Sequence, residues 1–418
     1  MRTVTFLIGV LPGLALADQA VFVTRAQLVR EALERNAEVR AGREQIGFSE
    51  ADLLEASRLL ISNPTVDGEY GSDALFAREG ERRAGAGVSQ EFEIGFQRGL
   101  RKERAGLKLE EARARLRDLE LRVARDASDA YFALWRADRL RALARNAREV
   151  NLSLERAAES RFRAGDIAEL ERNVVEVDVA RAEAAAAAAE AEWLRAQAEV
   201  NRLTGRPIET ELQLAEEPLP PLPATEVTAL LEAASEHRAD LVAARLAEDA
   251  AAAEVSLRYR ELIPNPTFSV AYEVENAFID SLADVDRLVF AKLSFPIPLW
   301  DRKQGEIRRA KAARGVAAAE REGVERLVAT EVRSALGFAQ GAKRALDAYE
   351  ATLPRVERNL TLLEQAYQAG QVDLSELLAA KDRAFATRRE HIEALASYGR
   401  SVDELLRATG RLPTEAFP

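Results

Sequence analysis

The chain is written twice. Arg58-Leu-Leu-Ile-Ser-Asn-Pro-Thr65 returns as Arg260-Glu-Leu-Ile-Pro-Asn-Pro-Thr267, and Phe92-Glu-Ile-Gly-Phe96 returns, more loosely, as Phe295-Pro-Ile-Pro-Leu299. Phe162-Arg-Ala-Gly165 returns as Tyr367-Gln-Ala-Gly370, and Arg202-Leu-Thr-Gly205-Arg206 as Arg407-Ala-Thr-Gly410-Arg411. Each match is weak alone, but all four keep their order at a spacing of about 200 residues, too long for a short-repeat solenoid. Two pseudo-symmetric halves are therefore expected. The expected division is a signal at 1–17, a first repeat at 18–205 made of a helix, a β-hairpin at 64–96 and long helices, and a Pro-rich linker at 206–224. A second repeat at 225–412 with a hairpin at 266–297 and a tail at 413–418 complete it.

Within each half, proline placement separates long helices from everything else. None of the 14 prolines lies between Arg98 and Leu203, only Pro354 lies between Leu299 and Leu412, and five crowd into Pro207 to Pro223. The Pro-free run is rich in Ala, Leu, Glu and Arg, the strong helix formers. Leu109, Leu116, Val123, Ala130 and Ala137 recur every seven residues, with Ala112, Leu119, Ala133 and Leu140 between them. That is a coiled-coil-like seam, interrupted at Asp126. A helix from Arg98 to about Phe162 would be ~95 Å long, far more than a globular domain needs. Pro354 should bend or break its helix, and Ala184 to Ala189 reads as a close-packed helix seam.

The first 17 residues have a positive start at Arg2, an apolar run from Val4 to Leu16, and Ala15-Leu16-Ala17 ahead of Asp18, the pattern of a secretory signal. No other stretch offers ~18 consecutive apolar residues, so an exported chain that crosses a membrane must cross it with strands. Four segments alternate as strands do. Val66 and Tyr70 oppose Asp67 and Glu69; Val88, Phe92, Ile94 and Phe96 oppose Ser89, Glu91 and Glu93. Phe268, Val270, Tyr272 and Val274 oppose Thr267, Ser269, Glu273 and Glu275; Val289, Ala291, Leu293 and Phe295 oppose Lys292 and Ser294. One face is apolar and the other carries carboxylates, as a barrel wall needs toward lipid and toward a wet lumen. Four strands cannot close around a lumen, so closure requires several chains, and a trimer would supply twelve strands. The competing reading is a pair of hairpins packed on a soluble helical body.

Composition removes other functions. There are 59 Lys+Arg against 70 Asp+Glu, a net charge of −11, which gives no basic excess for nucleic acid. There is no Cys, only one Met, and two His, His237 and His391, isolated in sequence. Thiol chemistry, disulfides and Cys-ligated metals are out, and too few soft ligands remain for a dedicated transition-metal site. No Ser/His/Asp arrangement, phosphate-cradling Gly loop or Walker motif is present, so no catalytic residue, cofactor or metal ligand is assigned and no enzymatic activity is expected.

With the repeats, the strands and the turns in hand, the chain resembles the TolC-like outer-membrane factors of tripartite efflux systems. The resemblance covers nearly all of the mature chain and rests on the duplication, the Asn-Pro-Thr strand entries at Asn63 and Asn265, and the aromatic-x-Ala-Gly turns at Gly165 and Gly370. The segments Val88 to Arg101 and Phe295 to Gly305 look most like the heavy-metal, CzcC-type branch. The resemblance implies a mainly α fold with a small β part. A duplicated long-helix coiled-coil unit would form, as a homotrimer, a periplasmic α-barrel and a 12-stranded transmembrane β-barrel with four strands per chain. It further implies the outer membrane of a Gram-negative bacterium, contact with outer-membrane lipid, and a periplasmic adaptor (membrane fusion) protein and inner-membrane pump as partners. The function implied is the exit duct of an efflux pump of the RND type for heavy-metal cations. A duct for drugs or secreted proteins, and a periplasmic coiled-coil scaffold without a pore, are the alternatives.

The residues singled out follow from the turns and the strands. By the resemblance, Phe162, Gly165, Ile167, Tyr367, Gly370 and Val372 sit at the tip where the adaptor docks, with Asp166 able to cap the following helix. Asp373 and Glu376 share one helix face beyond the second turn and would form carboxylate rings at the tunnel mouth of a trimer. Glu91, Glu93, Glu273 and Glu275 would form acidic bands in the barrel lumen.

Overall fold

The computed structural model describes residues 21–72, 82–215, 217–223, 226–279, 282–369 and 371–413; the expected signal at 1–17 lies outside them. The first repeat runs β1 (Val21–Val23), α1 (Arg25–Arg35), α2 (Ala37–Ala56), β2 (Thr65–Ser72), β3 (Arg82–Glu91), α3 (Gln97–Arg163) and α4 (Glu169–Thr204). After β4 (Leu212–Leu214) the second runs α5 (Val227–His237), α6 (Ala239–Arg260), β5 (Thr267–Ile279), β6 (Leu282–Ser294), α7 (Gln304–Gln368) and α8 (Leu374–Ala408). The duplication thus appears as a repeated order of elements. α3 holds 67 residues, about 100 Å of helix. None of the helices among the described residues is long and apolar enough to cross a membrane.

Three features depart from the expectations. The opening helix of each repeat is broken in two, at Asn36 and at Arg238. Both breaks fall in one more repeated stretch, Glu34-Arg-Asn-Ala-Glu-Val39 against Glu236-His-Arg-Ala-Asp-Leu241. The Asn36 backbone turns to ψ 133°, and its side chain then accepts a hydrogen bond from the Glu38 amide at 2.8 Å. α7 does not break at Pro354 but continues through it to Gln368. One missing bond within a long helix is outweighed where flanking residues such as Leu346 are held in a core. Finally, Ala184 to Ala189 are mostly exposed rather than close-packed.

The chain forms two compact units, and each draws on both repeats. The first takes the described residues of Met1–Arg40, Leu119–Ala234 and Thr330–Pro418. Its core joins Val23, Leu28, Tyr131, Phe132, Leu134, Val200, Leu203 and Leu212, and a second cluster joins Val29, Ala32 and Val39 to Val123, Ala124 and Ala127. The seam read from the heptads is thus used, although Asp126 stands exposed and pairs with Arg125. β1 and β4 pair in parallel. The Pro-rich linker is strapped down: Leu219 and Leu222 pack on Leu346, Tyr398 and Val402, and the Tyr398 hydroxyl donates to the Pro220 carbonyl at 2.9 Å.

α8 lies close against α3 because residue 399 is glycine. A Cβ there would fall 2.3 Å from the ring of Phe132, which is 4% exposed and held edge-on by Tyr131 at 5.4 Å. Gly399→Ala is therefore expected to destabilise by about 1–3 kcal/mol through overpacking. A thermal melt in detergent checks it, and an unchanged midpoint would contradict the contact.

In the same seam Asp403 is fully buried. It accepts from Arg25 Nη1 at 2.5 Å and from the Ser128 hydroxyl. Burial pushes its carboxyl up while Arg25 and Ser128 pull it down. Asp129, the residue after Ser128 on α3, is pushed up to about 6 by burial against the pull of Arg125 and Arg400. A carboxyl whose folded pKa is raised loses stability as pH rises from its unfolded value, ~4, through its folded one. Asp129→Asn should thus raise the melting temperature at pH 7.5 and make no difference near pH 4. A difference between variant and wild type that stays constant over that window would refute the assignment.

The second unit takes Ala41–Asp118 and Ser235–Ala329. Its sheet is antiparallel in the order β2-β3-β5-β6, with Thr65↔Ser89, Val88↔Val270 and Val270↔Ala291 among the paired residues. β5 and β6 each hold 13 residues, longer than the alternation alone suggested, because the pairing runs on through Ala277↔Asp284 to Ile279↔Leu282. β3, in contrast, ends at Glu91 rather than near Phe96.

Candidate functional site

At one end of the first unit, both sequence-repeated turns close over a single apolar cluster. α3 ends in a left-handed Gly165 at φ +81°; its amide donates to the Phe162 carbonyl and the Asp166 amide to the Arg161 carbonyl, both at 2.9 Å. This pair of bonds satisfies carbonyls that the helix end would otherwise leave unpaired, and glycine takes the required φ without strain. The same bonds recur where α4 ends at Gly205 and α8 at Gly410, and Gln371 repeats the outer one onto Ala366. The repeated Gly motifs are thus helix-stop signals. Gly370 itself lies outside the described residues. Asp166 does not cap α4: that position falls to Ala168, which has no side chain able to do so.

Beneath the turns Ala158, Val175, Leu374 and Leu378 are buried, with Leu154, Ile167 and Tyr367 packed against them. Ile167 and Tyr367, far apart in sequence, therefore meet at one patch, each partly buried. The Arg161 guanidinium ties α3 to α7 there, donating to the Tyr367 hydroxyl at 2.8 Å and lying 5.3 Å from its ring centre. Phe162 is half-buried under Arg172 at 4.8 Å, Val372 is half-buried, and Gly165 is exposed. Asp373 is the residue at which α8 begins, but its side chain makes no capping bond. Asp373 and Glu376 are both exposed and their carboxylates make no hydrogen bond or ion pair among the described residues, so two free carboxylates stand at the start of α8. Sequence reasoning missed what lies below them. Lys381 is 3% exposed, and its ammonium donates to Asn151 Oδ1 at 2.5 Å. Burial lowers its pKa. A lysine at this position of an amphipathic helix gave no sign of it.

The sheet of the second unit sorts its side chains by register, since residues directly opposite share a face. Asp67, Glu69, Arg83, Glu91, Glu273, Glu275, Asp286 and Lys292 fall on one face, with Thr65, Ser89, Ser269 and Ser294. Val66, Tyr70, Val88, Phe268, Val270, Tyr272, Val289 and Leu293 fall on the other and all eight are exposed, although Arg82 and Arg287 share that face and the exposed Leu288 and Phe290 lie on the carboxylate face. Glu273 pairs with Arg83, which also reaches Glu69 at 3.4 Å, while Glu275 is exposed. Glu91 accepts from Asn265 Nδ2 at 2.8 Å, so the second Asn-Pro-Thr motif fastens the end of β3. Glu93 differs from the expectation. It lies beyond the ladder and is 6% exposed in a bidentate pair with Arg101, because Phe92 to Phe96 leaves the sheet to enter α3. Among the described residues the outer strands β2 and β6 each leave one edge unpaired.

Comparison with known proteins agrees with this geometry. Residues 230–411, most of the second repeat, match the profile of the family described as outer membrane efflux protein. No curated protein matches the sequence significantly. Among solved structures, CusC superposes with a TM-score of 0.77 at 19% identity over 94% of both chains. The outer membrane protein VceC of Vibrio cholerae superposes at 0.75 and 19% over 93% of this chain and 96% of its own. The open state of the MtrE outer membrane channel of Neisseria gonorrhoeae superposes at 0.77 and 19% over 94% and 90%. The fold is the one these outer membrane channels share. The superpositions extend over both repeats, whereas the family match covers residues 230–411.

Proposed function

We propose that three copies of this chain form the outer-membrane exit duct of a tripartite efflux pump. The observation that carries the reading is the four-stranded sheet with one apolar, exposed face, one carboxylate-rich face and two open edges. A sheet exposing Val66, Tyr70, Val289 and Leu293 to water would lose most of the ~25 cal/mol per Å² their burial provides, and lipid removes that cost. Open edges in lipid are excluded, so β6 of one chain pairs with β2 of the next until twelve strands close. The long helices then form the periplasmic tunnel. The turns around Phe162, Gly165, Ile167, Tyr367, Gly370 and Val372 meet the adaptor, which links the duct to an inner-membrane pump. Transport is passive diffusion, and the adaptor biases the helical mouth toward an open state.

The Arg161–Tyr367 link holds the α3 and α7 ends together at the mouth and must break or move for that end to widen. Arg161→Ala is therefore expected to raise single-channel conductance in planar bilayers several-fold over wild type. Absence of conductance from both proteins, with adaptor added, would end the duct reading. The cargo we assign is heavy-metal cations, supported by the CzcC-like segments and by the free carboxylates Asp373 and Glu376. The chain has no Cys, and weak carboxylate contacts attract a cation without retaining it. Deletion of the gene should sensitise the host to zinc, cobalt or cadmium and leave tolerance of dyes and antibiotics unchanged. The reverse pattern would assign the duct to drugs.

A further inference from the structure

We infer that each seam between two chains closes in one register, in which Lys292 of one chain is set against Glu69 and Asp67 of the partner subunit. The inference rests on the trimeric-barrel reading above and adds to it which residues meet. The register follows from the duplication. The hairpins β2–β3 and β5–β6 start from the same pair of residues, Thr65↔Ser89 and Thr267↔Ser294. Thr65 therefore corresponds to Thr267 and Ser89 to Ser294, and the other positions follow by counting along each strand. One junction between hairpins lies inside the chain, where β3 meets β5 with Ala86↔Tyr272, Gly85↔Glu273 and Gly87↔Ala271. Carried to β6 and the next chain's β2, this register sets Ala291 against Tyr70 of the partner subunit. It likewise sets Phe290 against the partner's Gly71, and Lys292 against the partner's Glu69.

Only the Thr and Ser positions were matched to obtain this register, yet three further features agree with it. On the apolar face the seam repeats the Ala–Tyr pair of the internal junction. On the other face size is complementary at both junctions. Gly85 makes room for Glu273, since a Cβ there would stand 3.1 Å from the Glu273 Cγ. At the seam the sizes are reversed, and the ring of Phe290, exposed among carboxylates within its own chain, covers the partner's Gly71. Charge is the third feature. Arg83 stands opposite Glu275 but pairs with Glu273, one diagonal step toward the start of β5. The same step from Lys292 reaches the partner's Asp67, a distance that a long side chain spans. Asp67 and Lys292 are both exposed, and neither makes a hydrogen bond or ion pair among the described residues. A slip of one residue would turn every side chain to the wrong face. A slip of two residues in either direction removes the Ala–Tyr and Phe–Gly pairs together.

Cysteine pairs test the register without background, since the chain has no Cys. Within one chain β2 and β6 stand three strand spacings apart, about 14 Å and beyond the reach of a disulfide. Any bridge between them therefore links two chains. With A291C and Y70C in one full-length chain, oxidation in membranes should yield a covalent trimer on a denaturing, non-reducing gel. The yield should be roughly threefold or more above that of A291C with G68C or with S72C, which report the registers two residues away. More product from either of those pairs overturns the register. So does no product from all three while an SDS-resistant trimer persists. No product and no trimer overturns the barrel reading itself. The ion pair is tested separately by charge exchange in the otherwise native chain. K292E should lower the yield of SDS-resistant trimer severalfold, and D67K added to it should restore the trimer. A trimer unchanged by K292E, or lost and not restored by D67K, overturns the pair.

Discussion

Asp403→Ala should cost about 3–5 kcal/mol, the largest loss expected from any single replacement in the first unit. The carboxylate is 0% exposed, and its removal leaves the Arg25 guanidinium, itself only 15% exposed, without its partner, and the Ser128 hydroxyl without an acceptor. Mutual attraction across a low-dielectric seam offsets the cost of dehydrating both charges only while both are present. The loss is therefore a coupling, and the double replacement Arg25→Met with Asp403→Leu should recover most of it. Melting of the four proteins of this cycle in detergent, followed by helical circular dichroism, measures both. A single-variant loss below about 1 kcal/mol would mean that water reaches the pair.

Glu376→Gln should collapse the cation preference of the open duct. In a trimer the free carboxylates of Glu376 form a ring of three. At about 7 Å and a water-like dielectric, each attracts a monovalent cation by roughly 0.6 kcal/mol, so at low salt the ring raises cation occupancy and lowers anion occupancy, each on the order of tenfold. A divalent cation feels twice that energy. Reversal potentials across a salt gradient read the effect directly, and the change should shrink at high ionic strength. An unaltered potential would place Glu376 away from the conducting path. Asp373→Asn gives a second, independent measure of the same mouth.

Much of the fold was legible because two of its signals are strong: period-two alternation with faces of opposite character, and long Pro-free runs punctuated by repeated glycines. The Arg-x-Thr-Gly-Arg and aromatic-x-Ala-Gly repeats were visible as letters before their meaning as helix stops could be seen. What escaped notice depended on partners distant in sequence. Nothing local marks Asp403 as buried, because its neighbours Arg25 and Ser128 come from α1 and α3. Lys381 is hidden in the same way by Asn151. Glu93 was placed in a strand because its parity is right; only Arg101, eight residues on, removes it. The entries to α3 and α7 correspond in backbone at Phe96 and Lys303, although letter matching had paired Phe96 with Leu299. Positive φ at residues that seldom adopt it leaves no trace in composition. At the tip, the identities of Ile167 and Tyr367 suggested a surface, whereas the cluster beneath them makes the pair partly structural.

The junction between β3 and β5 joins the second strand of one repeat to the first strand of the other. A closed ring demands the same kind of junction between β6 of one chain and β2 of its neighbour. In the proposed trimer the internal boundary and the subunit boundary would thus be quasi-equivalent, and the ring would be geometrically a hexamer of half-chains in which covalent linkage replaces every other interface. Two half-chains fused in this way are free to diverge. In such a trimer a carboxylate placed in one repeat alone, as Asp373 is opposite Ala168, would appear three times around the axis rather than six, which lets the mouth be graded in charge without altering the symmetry that closes the wall.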